Sequence, residues 1–419
     1  MGGGSMRQTE NSTSPSIGAA VVPLLGLMVF INYADRGNLA TAAPLIKDQL
    51  HLTATQVGFL LSGFFWTYVP AQLAAGWLVM RFNAYRTLAV GLVIWSIATA
   101  ASGLAGGFIS LMLLRLLLGL GESVAFPGIS EILARHVPPN KLGAANGISL
   151  IGLGLGPAFG TFAGGHLMAE FGWRNVFLLF GALSLLWLLP WWAATRKLDG
   201  KGSQQPDISP PPLSAILRRR ELWGTMMGHF CGLYAFYFVI LWLPIYLVKE
   251  RGLSMSHMGE IGGLIYVIYA ASTTLSGFAA DRLIARGFSN QRVRRVAAVF
   301  SLVGSTLSLV VAAFGSLQLS LACLFFTAVT FGVGSSNVYA IPQTLGGPHA
   351  AGRWVAIQNS AGNIAGIVAP IITGIVIDRT GQFFWAFIIA GVMCMLGMVG
   401  WLLMIPKIAP IEWSHAAAE

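Results

Sequence analysis

Charged residues are scarce in this 419-residue sequence: Asp, Glu, Lys and Arg make up 10% of it, against 55% hydrophobic residues. A soluble domain carries roughly a quarter charged residues, so an ordinary soluble globule is excluded. From Val296 to Gly352 the chain has no Asp, Glu, Lys or Arg, and a two-domain soluble enzyme would not contain such a run. Cysteine is also sparse. Cys231, Cys323 and Cys394 lie inside apolar runs, without CxxC spacing or a His cluster, which argues against disulfides and zinc. The chain has no nucleophile elbow, HExxH sequence, Walker sequence or haem-ligand pair, and its loops are too short for a catalytic domain. Neither an enzyme nor a cofactor or metal is expected.

What the chain does have is an excess of basic residues, with a formal net charge of +10. These residues sit in short loops between apolar stretches rather than on one folded surface, so nucleic acid is not an expected partner. The opening Met1-Gly2-Gly3-Gly4-Ser5 resembles a cloning scar, and residues 1–16 are set aside as scar and polar tail. The sequon Asn11-Ser12-Thr13 falls in that tail, which the topology below keeps in the cytoplasm.

A bilayer core needs about 20 apolar residues per helix, and twelve such stretches can be traced. The first six run roughly Ile17 to Leu39, Val57 to Val79, Thr87 to Leu104, Phe108 to Ala134, Leu142 to Met168 and Asn175 to Ala194. The second six run Leu222 to Leu247, Met258 to Ala280, Val296 to Ala313, Leu319 to Leu345, Val355 to Ile377 and Phe384 to Ile405. The expected fold is an all-α membrane protein of two pseudo-symmetric six-helix halves, 17–194 and 222–405. The polar stretch 195–221, with Pro210-Pro211-Pro212 and Arg218-Arg219-Arg220, links them. Residues 406–419 form a second tail. Placing both termini and the linker in the cytoplasm puts most Lys and Arg inside, as the positive-inside rule requires. This predicts a multi-pass protein of the cell inner (plasma) membrane, bacterial in type.

The halves echo each other after the second and eighth spans, where Gly76-x3-Met80-Arg81 and Gly277-x3-Asp281-Arg282 each precede a basic loop. Such duplication marks transporters. Here the chain resembles the major facilitator superfamily, whose loop signature is glycine, three residues, Asp-Arg and further basic residues. The second copy keeps the signature. In the first, Met80 replaces the acid and Asn83 the usual glycine, which predicts a less locked cytoplasmic side. The expected cytoplasmic gate comprises Arg81, Glu131, Arg135, Asp281, Arg282 and Arg353.

Three stretches narrow the resemblance to the anion:cation symporter branch, which includes bacterial sugar-acid permeases and sialin-like organic-anion carriers. They are Tyr33-Ala34-Asp35-Arg36-Gly37-Asn38-Leu39, Arg115-x6-Glu122-x3-Phe126-Pro127, and His229-Phe230-Cys231 through Trp242-Leu243-Pro244-x-Tyr246.

Charged side chains inside a membrane are costly and face a cavity or a partner. Asp35 and Arg36 fall toward the end of the predicted first span, and Arg115 and Glu122 lie within the fourth. Residues 115, 119 and 122 share one helix face, with Gly119 expected to leave that face open. These four charges either form structural ion pairs, with Asp35 and Arg36 snorkelling to the interface, or build a site. A guanidinium fork matches a carboxylate, so Arg36 or Arg115 is a candidate for binding a substrate's acid group. Burial and an approaching anion favour the neutral form of a carboxyl group, so Asp35 and Glu122 are candidate proton carriers. The resemblance implies the same: acids matching Asp35 and Glu122 are protonation sites, and the arginine matching Arg115 helps to link substrate and proton. The function expected is proton symport of a small organic anion, a sugar acid or other carboxylate, with organic-anion exchange or proton-driven efflux as the alternative. A sensor would need a signalling extension, and one route per chain predicts a monomer.

Tyr33 and Tyr68 correspond by position to cavity tyrosines of the sugar-acid permeases that this chain resembles; the alternative is that they fill a helix interface. Asn359 and Asn363, at i and i+4 on the eleventh span, either contact substrate hydroxyls or bond between helices. Asn337, Gln343 and His229 are weaker candidates. Leu153, in Gly152-x-Gly154-x-Gly156-Pro157, stands where sugar-acid permeases can carry a glutamine. That departure favours a less hydroxylated acid, aromatic or short aliphatic. The same glycines resemble an antiporter pattern, but small residues pack helices closely in any bundle.

Overall fold

A membrane interior offers no water to unpaired N–H and C=O groups, so a lipid-embedded chain must form closed helices or barrels. The computed structural model has helices and no strand among its described residues, 15–137, 145, 147–149, 151–196, 198 and 211–413. Outside the described set fall residues 1–14, residues 138–144, 146 and 150 with the predicted start of the fifth span at Leu142, much of the linker, residues 414–419 and, among others, the side chains of Met80, Arg135 and Asn337.

Among the described residues, ten helices are long and apolar enough to cross a membrane. One of these, Gly147–Thr195, turns back at Gly172, whose φ of 74° suits only glycine. Its two arms contact the first span in opposite order, Gly152 and Gly164 against Phe30 and Thr41, Ser184 and Trp187 against Asp35 and Leu24, so it supplies spans five and six. Ala54–Arg81 adds the second span, giving twelve. The others are Pro15–Gln49 (first), Ala84–Ser102 (third), Phe108–Glu122 with Ala125–His136 (fourth), and Arg220–Ile245 (seventh). Then come Met255–Ala285, Asn290–Phe314, Leu317–Val338, Ala340–Asn363 with Ala365–Thr380, and Phe384–Leu403. The chain reverses at Gly347, φ 59°, between the tenth and eleventh spans.

Polar residues mark several helix starts. Thr53 and Gln56 form a capping box at the second span, and Asn83 accepts from the N–H groups of Tyr85 and Arg86 at the third. The fourth span lapses at Ser123–Val124, directly after Glu122, because Pro127 has no N–H for the Ser123 carbonyl. The first helix continues to Gln49, ten residues past the predicted Leu39. Asp35 and Arg36 are therefore mid-helix and not at an interface, which corrects their predicted place near the end of the span.

The halves meet mainly on the membrane face opposite the linker. There Asp378 of the eleventh span accepts hydrogen bonds from Ala54 N (2.8 Å) and Thr55 N (2.7 Å), the N-terminal amides of the second. Lys249 pairs with Asp48, and His166 Nε2 lies 3.5 Å from Glu260 Oε1. Glycines allow the close approach: a Cβ on Gly58 would stand 2.4 Å from the Pro370 carbonyl oxygen, and one on Gly165 2.7 Å from Gly259 Cα. Among the described residues, every ion pair joining the halves lies on this face.

A carboxylate at a helix N-terminus is favoured by both the free amides and the helix dipole, by about 0.5–2 kcal/mol. Asp378→Asn is thus expected to loosen this closure. Thiol labelling of a cysteine placed near Gly58 should quicken in the variant; unchanged labelling would remove Asp378 from the closure.

Candidate functional site

Between the halves lies a cavity of about 560 Å³. It runs toward the linker face, where Gln72, Ala298, Ile341 and Trp401 line it. Residues adjacent on a helix point about 100° apart, and the first span uses this. Arg36 turns toward the fourth span and the cavity, whereas Asp35 turns toward the sixth. The Asp35 carboxylate accepts from Ser184 Oγ (3.0 Å) and Asn38 Nδ2 (3.5 Å), and it is buried outside the cavity lining.

Arg36 forms a tight ion pair with Glu122. Its Nε (3.0 Å) and Nη2 (2.6 Å) both donate to Glu122 Oε2, and Nη2 also approaches Asn32 Oδ1 at 3.4 Å. The guanidinium stacks among aromatic rings, 4.5 Å from the centroids of Tyr33 and Phe64 and 5.0 Å from Tyr68. Glu122 is fully buried, and its second oxygen, Oε1, has no hydrogen-bond partner among the described residues.

Arg115 differs sharply. It is 5% exposed and lines the cavity, yet it makes no hydrogen bond or ion pair with any described residue. Its guanidinium carbon lies 5.7 Å from the Phe64 centroid. One arginine is therefore held by a carboxylate while its neighbour is open to the cavity.

Gly119 was expected to leave a face open, and the structure corrects this. A Cβ there would lie 2.2 Å from the Phe64 carbonyl oxygen and 2.6 Å from Thr67 Oγ1. Gly119 instead lets the fourth span press on the second, which sets Phe64 beside both arginines.

Tyr33, Tyr68, His229, Asn359 and Asn363 all line the cavity, as do Leu153 and Pro157. Asn363 Oδ1 accepts from Tyr237 OH (2.9 Å), and Asn359 Oδ1 from Tyr339 OH (3.0 Å). Sequence reasoning missed both tyrosines; the i, i+4, i+8 spacing of His229, Leu233 and Tyr237 was the available signal. Gln343 is exposed and outside the lining. At the linker face Arg81, Asp281, Arg282 and Arg353 are exposed and make no ion pair with a described residue; Arg353 donates to the Pro211 carbonyl at 2.9 Å. Glu131 is half-buried nearby.

Two packed sets of membrane helices around a central charged cavity, closed on one face, define a secondary transporter. The chain belongs to the Major Facilitator Superfamily, whose model matches residues 25–353 and again 287–419. It is 30% identical to a probable sulfoacetate transporter, SauU, of Cupriavidus necator, over 95% of this chain and 96% of that protein. It is also 30% identical to the hexuronate transporter of Bacillus subtilis, over 88% and 90% of the two chains. A probable galactarate/D-glucarate transporter, GudP, of Escherichia coli is 29% identical, over 95% and 96%. Among solved structures, a bacterial homologue of the human lysosomal transporter Spinster, in an inward-facing and unoccupied conformation, matches with TM-score 0.80 and 19% identity over 93% and 97% of the chains. These matches support the anion:cation symporter type and a multi-pass transporter rather than an enzyme.

Overpacking a close helix contact costs about 1–3 kcal/mol. Gly119→Ala is expected to lower the melting temperature of the detergent-purified protein by several degrees. An unchanged melting temperature would mean that the fourth span does not depend on this contact.

Proposed function

We propose that the protein carries a small organic anion, a sugar acid or other carboxylate, together with protons by alternating access. The observation that carries this is the contrast between the two cavity arginines: Arg36 held by Glu122, and Arg115 unpaired.

Proton and anion binding follow from that contrast. With Glu122 and Asp35 both ionised, their charges offset those of Arg36 and Arg115, and the cluster attracts an anion only weakly. A proton on Glu122 cancels the carboxylate charge and weakens its hold on Arg36, whose guanidinium already faces the cavity. The cavity then presents two cations, and an entering carboxylate can take the charge-assisted bonds that Glu122 gives up. An anion bound there in turn disfavours re-ionisation of Glu122. Each ligand therefore raises affinity for the other, and the coupling is reciprocal. Asp35, behind the cavity on Ser184 and Asn38, is the second candidate proton carrier, acting through the first span.

The six-helix halves 17–194 and 222–405 rock about this site, with the linker face cytoplasmic on the positive-inside rule. Arg81, Glu131, Arg135, Asp281, Arg282 and Arg353 would meet when that face closes. Exchange or efflux remains the competing direction. The glycine run of the fifth span does not favour it, since Gly152 and Gly156 pack on the backbone of Phe30, and packing alone accounts for them.

The test is anion-driven proton uptake in proteoliposomes. Glu122→Gln should abolish proton uptake while anion counterflow persists, because the amide mimics the protonated acid. Arg115→Ala should lower uptake by about a hundredfold, matching the ~2–3 kcal/mol of a charge-assisted contact. Proton uptake unchanged in Glu122→Gln would refute the scheme, and counterflow without any proton movement in the unaltered protein would favour the exchanger.

A further inference from the structure

The polar groups of the cavity wall are largely occupied with one another. Tyr237 and Tyr339 donate to the side-chain oxygens of Asn363 and Asn359, and Asn363 Nδ2 donates in turn to the Asn359 carbonyl at 2.9 Å. Tyr269 OH and Ser335 Oγ bond at 3.0 Å, and Gln72 Nε2 donates to Tyr68 OH at 3.3 Å. The side-chain oxygens of the two asparagines best placed to read substrate hydroxyls are thus already taken by tyrosines. Among the described residues the hydroxyls of Tyr33 and Tyr266 and the Nε2 of His229 remain without partners in this lining, scattered polar points on a wall that is otherwise apolar or already hydrogen-bonded.

The same wall is rich in rings. Phe236 stands at its centre, with centroids 5.8 Å from Tyr237, 5.2 Å from Tyr269 and 5.7 Å from Phe331; Phe65 lies 4.7 Å from Tyr237. On the other side Phe64 and Tyr68 stack at 4.8 Å. These spacings are those of attractive aromatic pairs, and a guest ring would add further pairs of the same kind. Leu153 adds an apolar wall where a hydroxyl partner would otherwise be possible.

We infer that the carried anion is an aromatic carboxylate, its acid group on Arg115 and its ring within the Phe236–Tyr237–Tyr269 wall. This rests on the transporter reading above and chooses among its substrates. A polyhydroxylated acid would have to displace the tyrosine–asparagine bonds or bury unpaired hydroxyls, each at a loss of about tenfold in affinity. A short aliphatic acid avoids that loss but has no ring to pair with those of the wall.

The experiment uses the protein in two formats: thermal stabilisation in detergent and anion-driven proton uptake in proteoliposomes. The probes are benzoate, phenylacetate and 4-hydroxyphenylacetate, against gluconate, glucuronate and glucarate, with butyrate and succinate as aliphatic acids. At least one aromatic acid should stabilise the protein and be carried at a concentration about tenfold below any sugar acid or aliphatic acid. Tyr339→Phe, which frees the Asn359 amide oxygen, should narrow that preference about threefold to tenfold toward gluconate. A sugar acid or aliphatic acid carried as well as every aromatic one would overturn this inference and leave the transporter reading intact. If no acid of any class stabilises the protein or moves, both fail.

Discussion

A carboxylate and a guanidinium meet here in a region where the bilayer supplies no water, and the Arg36–Glu122 pair constrains what the surrounding structure can be. Neither group tolerates isolation at that depth, so the first and fourth spans must be held in register along their central turns. The pair keeps both charges in place without neutralising the neighbouring Arg115. That leaves a cation beside a cavity with no hydrogen-bonded partner among the described residues, its charge met only at longer range by Glu122 and Asp35, an arrangement suited to an anion or solvent that can reach it.

Small residues make the register possible. Gly119 brings the fourth span against the backbone of the second at Phe64, while Gly152, Gly156 and Gly160 bring the fifth against the first at Phe30, Tyr33 and Ala34. Without an apolar driving force between helices in lipid, such backbone approach and the contacts it permits are what hold a bundle together. Between the halves the same device recurs mainly on the face opposite the linker, at Gly58, Gly374, Gly165 and Gly259. The helices are therefore closely seated where the halves touch and free to part toward the linker. The ring of tyrosines and phenylalanines occupies the widening gap.

Much of this was legible in the sequence, because a membrane helix advertises itself by length and apolarity, and a buried charge by its rarity. Asp35, Arg36, Arg115 and Glu122 could be found that way, as could the break after Glu122 from Pro127. Three features could not. The first helix runs on to Gln49 through Asn38, Thr41, Lys47 and Asp48, polar residues that end a hydropathy signal but not a helix. Gly119 looked like an opening because sequence shows which residue is small and not what lies opposite. Tyr237 and Tyr339 were missed because an aromatic facing a cavity and one facing lipid have the same appearance in an apolar run. That Arg36 is paired and Arg115 is not follows from side-chain reach across three helices, which spacing along one chain does not specify.

Coupling requires Glu122 to change its protonation state when an anion enters, and infrared difference spectroscopy of the purified protein observes that carboxyl group directly. Perfusing the anion onto the protein at neutral pH should replace a carboxylate band by the carbonyl stretch of a protonated acid, and Glu122→Gln should remove the change. Anion binding with Glu122 still ionised would contradict the account, and the Arg36–Glu122 pair would then be structural only.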